Sequence, residues 1–270
     1  MPVAGRLHAV SHPLNRKGPF PVFNSAVLAY LRAVTGSRAT RIGPFHVIFD
    51  QHDVNPYRNY AIPDDGCEPT ADEVNELVTA FRDRGRTPRF EYIPEVVPSL
   101  EPTLLALGFT EELRPPLLTC WPSDVPELPD PSGVEIILAR TEEQLRLCSE
   151  AQQAAYGEGD IEHDVRRKQS AVDEGSLIAV AVDTATGQGV GGAELCPPHD
   201  GVSELAGVGV RASHGGRGIA TALTAKLTRW APAAGITTPW LMPGHDRAEQ
   251  IYRRVGYHQV GRMLHISLAR

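Results

Sequence analysis

ELAGVGVRASHGGRGIAT, residues 204–221, holds a strand end, a glycine turn and a helix start in succession. Val208 and Val210 are β-branched and alternate with glycine; Gly215, Gly216 and Gly218 follow within four positions. Glycines so close together let backbone N–H groups converge on one point, because no Cβ blocks the approach and positive φ costs little. The next residues place Ile219, Leu223, Leu227 and Trp230 on one face at helical spacing. The unpaired donors and the positive dipole end of that helix therefore point into the turn. Between Glu204 and Asp246 no acidic residue occurs, while Arg211, Arg217, Lys226 and Arg229 give the segment +4 in a chain of net charge −7. Such a turn is expected to cradle a phosphate; the alternative is a glycine-rich turn that binds nothing.

Three kinds of glycine loop bind phosphate. A P-loop requires Lys and then Ser or Thr after its last glycine, and no lysine follows Gly218. A dinucleotide fingerprint is formally present as Gly207-x-Gly209-x-x-Ala212, but it lies inside the strand, and residues 228–233 (TRWAPA) lack the acidic partner expected about 20 positions on. The third kind is a family pattern. Val208-x-Val210 followed by Gly215-Gly216-Arg217-Gly218-Ile219-Ala220 resembles the acyl-CoA pyrophosphate motif [Gln/Arg]-x-x-Gly-x-[Gly/Ala] of the GNAT superfamily of N-acyltransferases. Gly215 stands where that motif carries Gln or Arg, so Arg217 or Arg211 is expected to compensate. Further on, HDRAEQIYRRVGY resembles the family's Asn-x-x-Ala-x-x-x-Tyr-x-x-x-Gly-[Phe/Tyr] segment, with Ala248, Tyr252, Gly256 and Tyr257 in place and His245 where Asn is usual.

At 270 residues the chain has room for one large or two modest domains, and 41% hydrophobic with 22% charged residues is ordinary for a globular protein. The N-terminus MPVAGRLHAVSHPLNRK has no apolar leader, and no apolar run approaches the ~18 residues of a membrane span. A cytoplasmic protein without membrane contact is expected. Cys67, Cys120, Cys148 and Cys196 have no C-x-x-C spacing, so neither a zinc knuckle nor a disulfide framework is expected. His46, His52 and Asp53 form no helical i, i+4 pair and no H-E-x-x-H occurs, so no metal is expected. A pI near 5.8 without a basic run speaks against nucleic acid.

In chain order, residues 1–20 read as an irregular arm, 24–34 as a helix, and 45–50 and 58–63 as strands. Thr70 and Glu73 make a capping box ahead of the stripe Val74, Leu77, Val78 and Phe81, and Gly85 closes the helix. A strand at 89–94, a helix from Ser99 to Gly108-Phe109 and a short strand LLTC follow. Pro115, Pro116, Pro122, Pro126, Pro129 and Pro131 mark a semi-rigid connection, with a boundary at 126–133 between a first domain (1–125) and a second (134–270). In the second, 134–139 is a strand, Thr141 with Gln144 caps a helix to Tyr156, and 164–172 is another helix. SLIAVAVD, VGGAELC and VSELAGVGV are successive strands; after the loop and its helix come a strand PWLMP, a helix capped by Asp246 with Glu249, and one closing strand at 259–268.

The halves echo each other. Gly85 and Gly235 are 150 residues apart, and Gly108-Phe109 and Gly256-Tyr257 are 148 apart. This looks like a tandem GNAT: an α/β chain of two GNAT-like domains, each a central, mostly antiparallel mixed sheet flanked by helices. The positions matching the loop in the first copy are Asp65-Gly66-Cys67-Glu68-Pro69-Thr70, and Leu104 matches Tyr252. Two carboxylates and a proline cannot offer a phosphate the donors and charge it needs. Only the second copy is expected to bind acyl-CoA.

The resemblance implies direct acyl transfer from acetyl-CoA, as co-substrate, to an amine. Glu204, fourteen residues before Gly218, matches a position that carries the base in part of the family, with Glu194, His214 and His199 in reserve. Tyr252 matches the general acid, although Ala248, Ile251, Tyr252 and Val255 also make a plain core stripe. Backbone N–H near Val208, Gly209 and Val210 is expected to meet the thioester carbonyl. The pyrophosphate would meet Gly215, Gly216, Arg217, Gly218, Ile219, Ala220 and Thr221, with Arg211, His245 and Ala248 nearby. The expected partner is a small-molecule amine, with a homodimer left open; the competing reading is a non-catalytic acyl-CoA-binding regulator.

Overall fold

In a computed structural model, described over residues 20–36, 39–51, 53–157 and 160–269, the glycine-rich strand at 202–210 lies in the middle of a seven-stranded sheet. The arm expected over residues 1–20 falls outside the described residues, except that the first helix starts at Phe20. The first half comprises α1 (Phe20–Thr35), β1 (Ala39–Ile42), β2 (Phe45–Ile48), β3 (Tyr60–Pro63), α2 (Ala71–Asp83), β4 (Arg89–Tyr92), α3 (Leu100–Ala106), β5 (Thr110–Leu113) and β6 (Pro116–Thr119). The second comprises β7 (Val134–Leu138), α4 (Glu142–Tyr156), α5 (Ile161–Asp173), β8 (Leu177–Asp183), β9 (Gly189–Leu195), β10 (Val202–Val210), α6 (Ile219–Trp230), β11 (Thr238–Leu241), α7 (Asp246–Val255), β12 (His258–Arg262) and β13 (Leu264–Ser267).

The two sheets are mixed and mostly antiparallel, as expected. The first has the order β1-β2-β3-β4-β13-β5 and the second β12-β6-β11-β10-β9-β8-β7. Their parallel pairs are β3 with β4 and β10 with β11. Each time a strand is followed by a helix (α2 or α6) and the chain returns beside it, which is the crossover that parallel pairing requires. The tandem repeat is thus visible in the pairing itself.

The division into 1–125 and 134–270 does not describe the sheets. β6, inside the proline-rich stretch and ahead of the 126–133 boundary, inserts between β11 and β12 of the second sheet, and β13, the last strand, inserts between β4 and β5 of the first. The single closing strand expected at 259–268 is two strands in two sheets, parted at Met263. Apolar alternation runs through Leu264 and Ile266, so the pattern alone could not separate them. β1 and β5 were not expected; β5 reads TEEL, exposed at every position, and offers no hydrophobic signal.

Three apolar clusters hold these layers. α1, α2 and α3 cover the first sheet through Leu28, Val74, Phe81, Phe90 and Leu104, all fully buried, and this cluster reaches into the second half through Val202 and Trp240. Tyr30 of α1 meets Trp240 edge-on at 6.0 Å between ring centres. α6 and α7 cover one face of the second sheet through Ile219, Leu223, Leu227 and Val255; α4 and α5 cover the other through Leu145, Cys148 and Val165. Both expected capping boxes form, Thr70 with Glu73 on α2 and Thr141 with Gln144 on α4. α7 is capped differently from the expectation: His245, not Asp246, is its N-cap, and its Nδ1 accepts from the Ala248 N–H at 3.1 Å.

Candidate active site

β10 stays beside β11 only from Val202 to Glu204, where Glu204 faces Trp240. Beyond that point it continues against β9 alone, and its register jumps from Ala206 to Gly209, leaving Gly207 and Val208 without Cα partners. A bulge of this kind bends its strand and opens the sheet locally. The split lies between α4 and α6, since a Cβ on Gly192 would meet Cys148 and Gln152 of α4, whereas one on Gly191 would meet Ile219 and Leu223 of α6.

At the α6 end of the split is the glycine turn. Gly216 and Gly218 have φ of +77° and +79°, and a Cβ on either would meet nothing within 4 Å. Gly218 is the N-cap of α6, and no side chain caps that helix. The donors of its first turn therefore face a groove of about 580 Å³ lined by the loop, by Ile219, Ala220 and Thr221, and by α7. By contrast α2, its counterpart in the first half, is closed by the Thr70–Glu73 box, and the preceding Asp64 and Asp65 are paired to Arg41 and Arg32.

The charge in the groove differs from the expectation. Arg211 is turned onto β9, donating from Nε to the Gly189 carbonyl at 2.7 Å, and Arg217 reaches the Ser132 carbonyl at 2.7 Å. Neither side chain lines the groove; Arg247 and Arg254 of α7 do, with His245 and His214. These two arginines stand seven residues apart and so share one face of α7. Ala248, Val208 and Gly209 are likewise not among the lining residues, while Val210 and Gly215 are.

On the other side of the split, Glu204 lines a cleft of about 960 Å³ shared by both halves, with Tyr30 from α1, Arg167 from α5, and Cys196 and His199 from the turn after β9. Burial raises its carboxyl pKa to about 7, and the charges of Glu91 and Glu194 push the same way. The reserve bases are engaged. Glu194 is buried on β9 and paired with Arg167 at 3.2 Å; His214 pairs with Asp183 at 3.3 Å and lies in the loop groove instead. Tyr252 is half-buried on α7, packed on the α6 side against Tyr257 at 6.2 Å between ring centres. Burial raises its phenol to about 12, with Tyr156 adding to the shift. The two expected catalytic side chains thus sit on opposite faces of the sheet, either side of the split.

Among the described residues no group of His, Cys, Asp and Glu could hold a metal ion, and no helix is long and apolar enough to cross a membrane. Residues 143–257 match the model of the acetyltransferase (GNAT) family. No curated protein matches the chain. A GCN5-related N-acetyltransferase from Kribbella flavida is similar over almost the whole length, with 27% identity, TM-score 0.75, and coverage of 94% of this chain and 97% of that one. A GCN5-related N-acetyltransferase from Sphaerobacter thermophilus shares the fold at 20% identity and TM-score 0.64, over 83% of this chain and 75% of that one. A tandem GNAT protein from the clavulanic acid biosynthesis pathway shares it at 14% identity and TM-score 0.61, over 83% and 77%. The open helix terminus and split strand at the centre of this site therefore lie in a domain, residues 143–257, of the GNAT acetyltransferase family, in a chain with the tandem GNAT fold.

Proposed function

We propose that the protein is an acetyl-CoA-dependent N-acetyltransferase that acylates the primary amine of a small molecule by direct attack on the thioester. One observation carries this reading: β10 parts from β11 at Glu204, which lines one cleft, and runs on to the uncapped α6 terminus, which lines a second groove. Acetyl-CoA supplies the activated acyl group. Its pyrophosphate fits the donors of Gly216, Gly218 and the first turn of α6, where Arg247 and Arg254 add charge.

An amine must lose a proton before it can attack. Glu204, with a pKa near 7, is part-ionised at neutral pH and can take that proton without holding it too tightly. Tyr252 keeps its proton well above neutrality and can return one to the departing thiolate. A cleft walled by α1 as well as α5 favours a small amine over a protein lysine. The self-capped terminus of α2 and its paired acids support acyl-CoA binding by the second half only. Four free cysteines suit the reducing cytoplasm.

The test is a thermal melt with acetyl-CoA, with NAD as control, followed by a screen of amines for thiol release. Ligand at about 100 times Kd adds about 2.7 kcal/mol, or roughly 5–10 °C at this size. No rise with acetyl-CoA sinks the proposal; a rise without turnover on any amine favours the non-catalytic acyl-CoA binder.

A further inference from the structure

Gln152 lies on α4, on the face of the sheet away from α6, and is 8% exposed. Its Nε2 donates to the Gly207 carbonyl at 2.6 Å. Gly207 is the first residue of the bulge, with φ of +63°, and a Cβ there would come within 2.6 Å of that same Nε2. The carbonyl is thereby turned out of the β9 ladder and toward α4. In a trans peptide unit, the C=O and the following N–H point in opposite directions, and the chain has no cis peptide among its described residues. Fixing the Gly207 carbonyl toward α4 therefore fixes the Val208 N–H toward the opposite side, where β10 has parted from β11 and α6 and α7 flank the opening.

We propose that Gln152 is a positioning residue for acyl transfer: by holding the Gly207 carbonyl it aims the Val208 N–H at the thioester carbonyl. This rests on the reading of the split as the thioester site. A peptide in a bulge with glycine at its head has little of its own to fix its orientation. A donor held in place before the reaction stabilises developing oxyanion charge without reorganising. A glutamine amide suits the task because it stays neutral and donates at every working pH.

The experiment is isotope-edited infrared spectroscopy of acetyl-CoA carrying a 13C acetyl carbonyl, bound to the wild type, to Gln152→Leu and to Gln152→Glu. A hydrogen bond to the carbonyl lowers its stretching frequency. The wild type is expected to show the lowered band, and Gln152→Leu a band moved up. Acetyl-CoA should bind Gln152→Leu about fivefold more weakly, the net worth of one hydrogen bond, while CoA, which has no acyl carbonyl, binds as before. Gln152→Glu should show the wild-type band at pH 5, where a buried carboxyl is protonated and can donate, and the raised band at pH 8.5, where it cannot. That pH pair carries the test by itself if Gln152→Leu does not fold. Wild-type binding with the same band in all variants overturns the assignment alone, and so does equal weakening of CoA and acetyl-CoA with no band shift, the signature of a purely structural role. A wild type that binds no acetyl-CoA removes the underlying reading and this inference together.

Discussion

Glu204→Gln tests the site through stability as well as rate. The folded protein holds this carboxyl near pKa 7 against an ordinary 4.5, so it binds more protons than the unfolded chain between those values. The sign follows: wild-type stability falls as pH rises through that window, and the neutral amide of the variant is spared the loss. From pH 5 to 8 the difference integrates to on the order of 2 kcal/mol, after discounting for partial solvent exposure. Differential scanning calorimetry of both proteins should therefore show the Glu204→Gln variant gaining roughly 4–8 °C on the wild type across that range. The wild-type rate should rise with pH, with about a tenth of the base ionised at pH 6 and about nine tenths at pH 8. Turnover of the variant should be lower by ~10²-fold or more, with that limb gone. A melting difference that does not change with pH, together with a rate profile lacking an inflection near 7, would refute both the burial and the role assigned to Glu204.

Gly218→Val places a β-branched residue at φ +79° in open space; acetyl-CoA affinity measured by calorimetry should fall about tenfold or more from backbone strain of ~1–2 kcal/mol, while far-UV circular dichroism stays unchanged. Tyr252→Phe should leave the Kd for acetyl-CoA within about twofold and lower kcat about 10²-fold; unaltered kcat would return Tyr252 to the core stripe it also belongs to. His245→Ala removes the α7 cap and should cost ~1 kcal/mol, with His245→Asn restoring it, as read from denaturant midpoints.

The parts of this protein that were legible in its sequence are those where one local rule acts alone. The Thr70–Glu73 and Thr141–Gln144 boxes, the stripe Ile219, Leu223 and Leu227, and the positive φ of Gly216 and Gly218 each follow from spacing within a few residues, and each is present. What was not legible depends on partners distant along the chain. Arg211 and Arg217 look like phosphate ligands in a charge count, yet the carbonyls of Gly189 and Ser132 claim them. Arg247 and Arg254 share one helical face, but nothing in the sequence shows that this face meets the loop. Gln152 had no motif to mark it, since its meaning is the carbonyl of a residue 55 positions away. The destinations of β6 and β13 are of the same kind: short apolar strands fit either sheet, and only the finished topology assigns them.

The traded strands bear on how such a chain can change over generations. One half of a duplicated chain is ordinarily free to be trimmed away. Here deletion of the first unit would remove β6 and leave β11 and β12 with a gap between them, while a stop codon ahead of Leu264 would strip β13 from between β4 and β5. Neither copy can be shed, shuffled into another gene or shortened at its end without opening the other's sheet. Selection on either half therefore preserves the other, and the pair is inherited together as a single gene product.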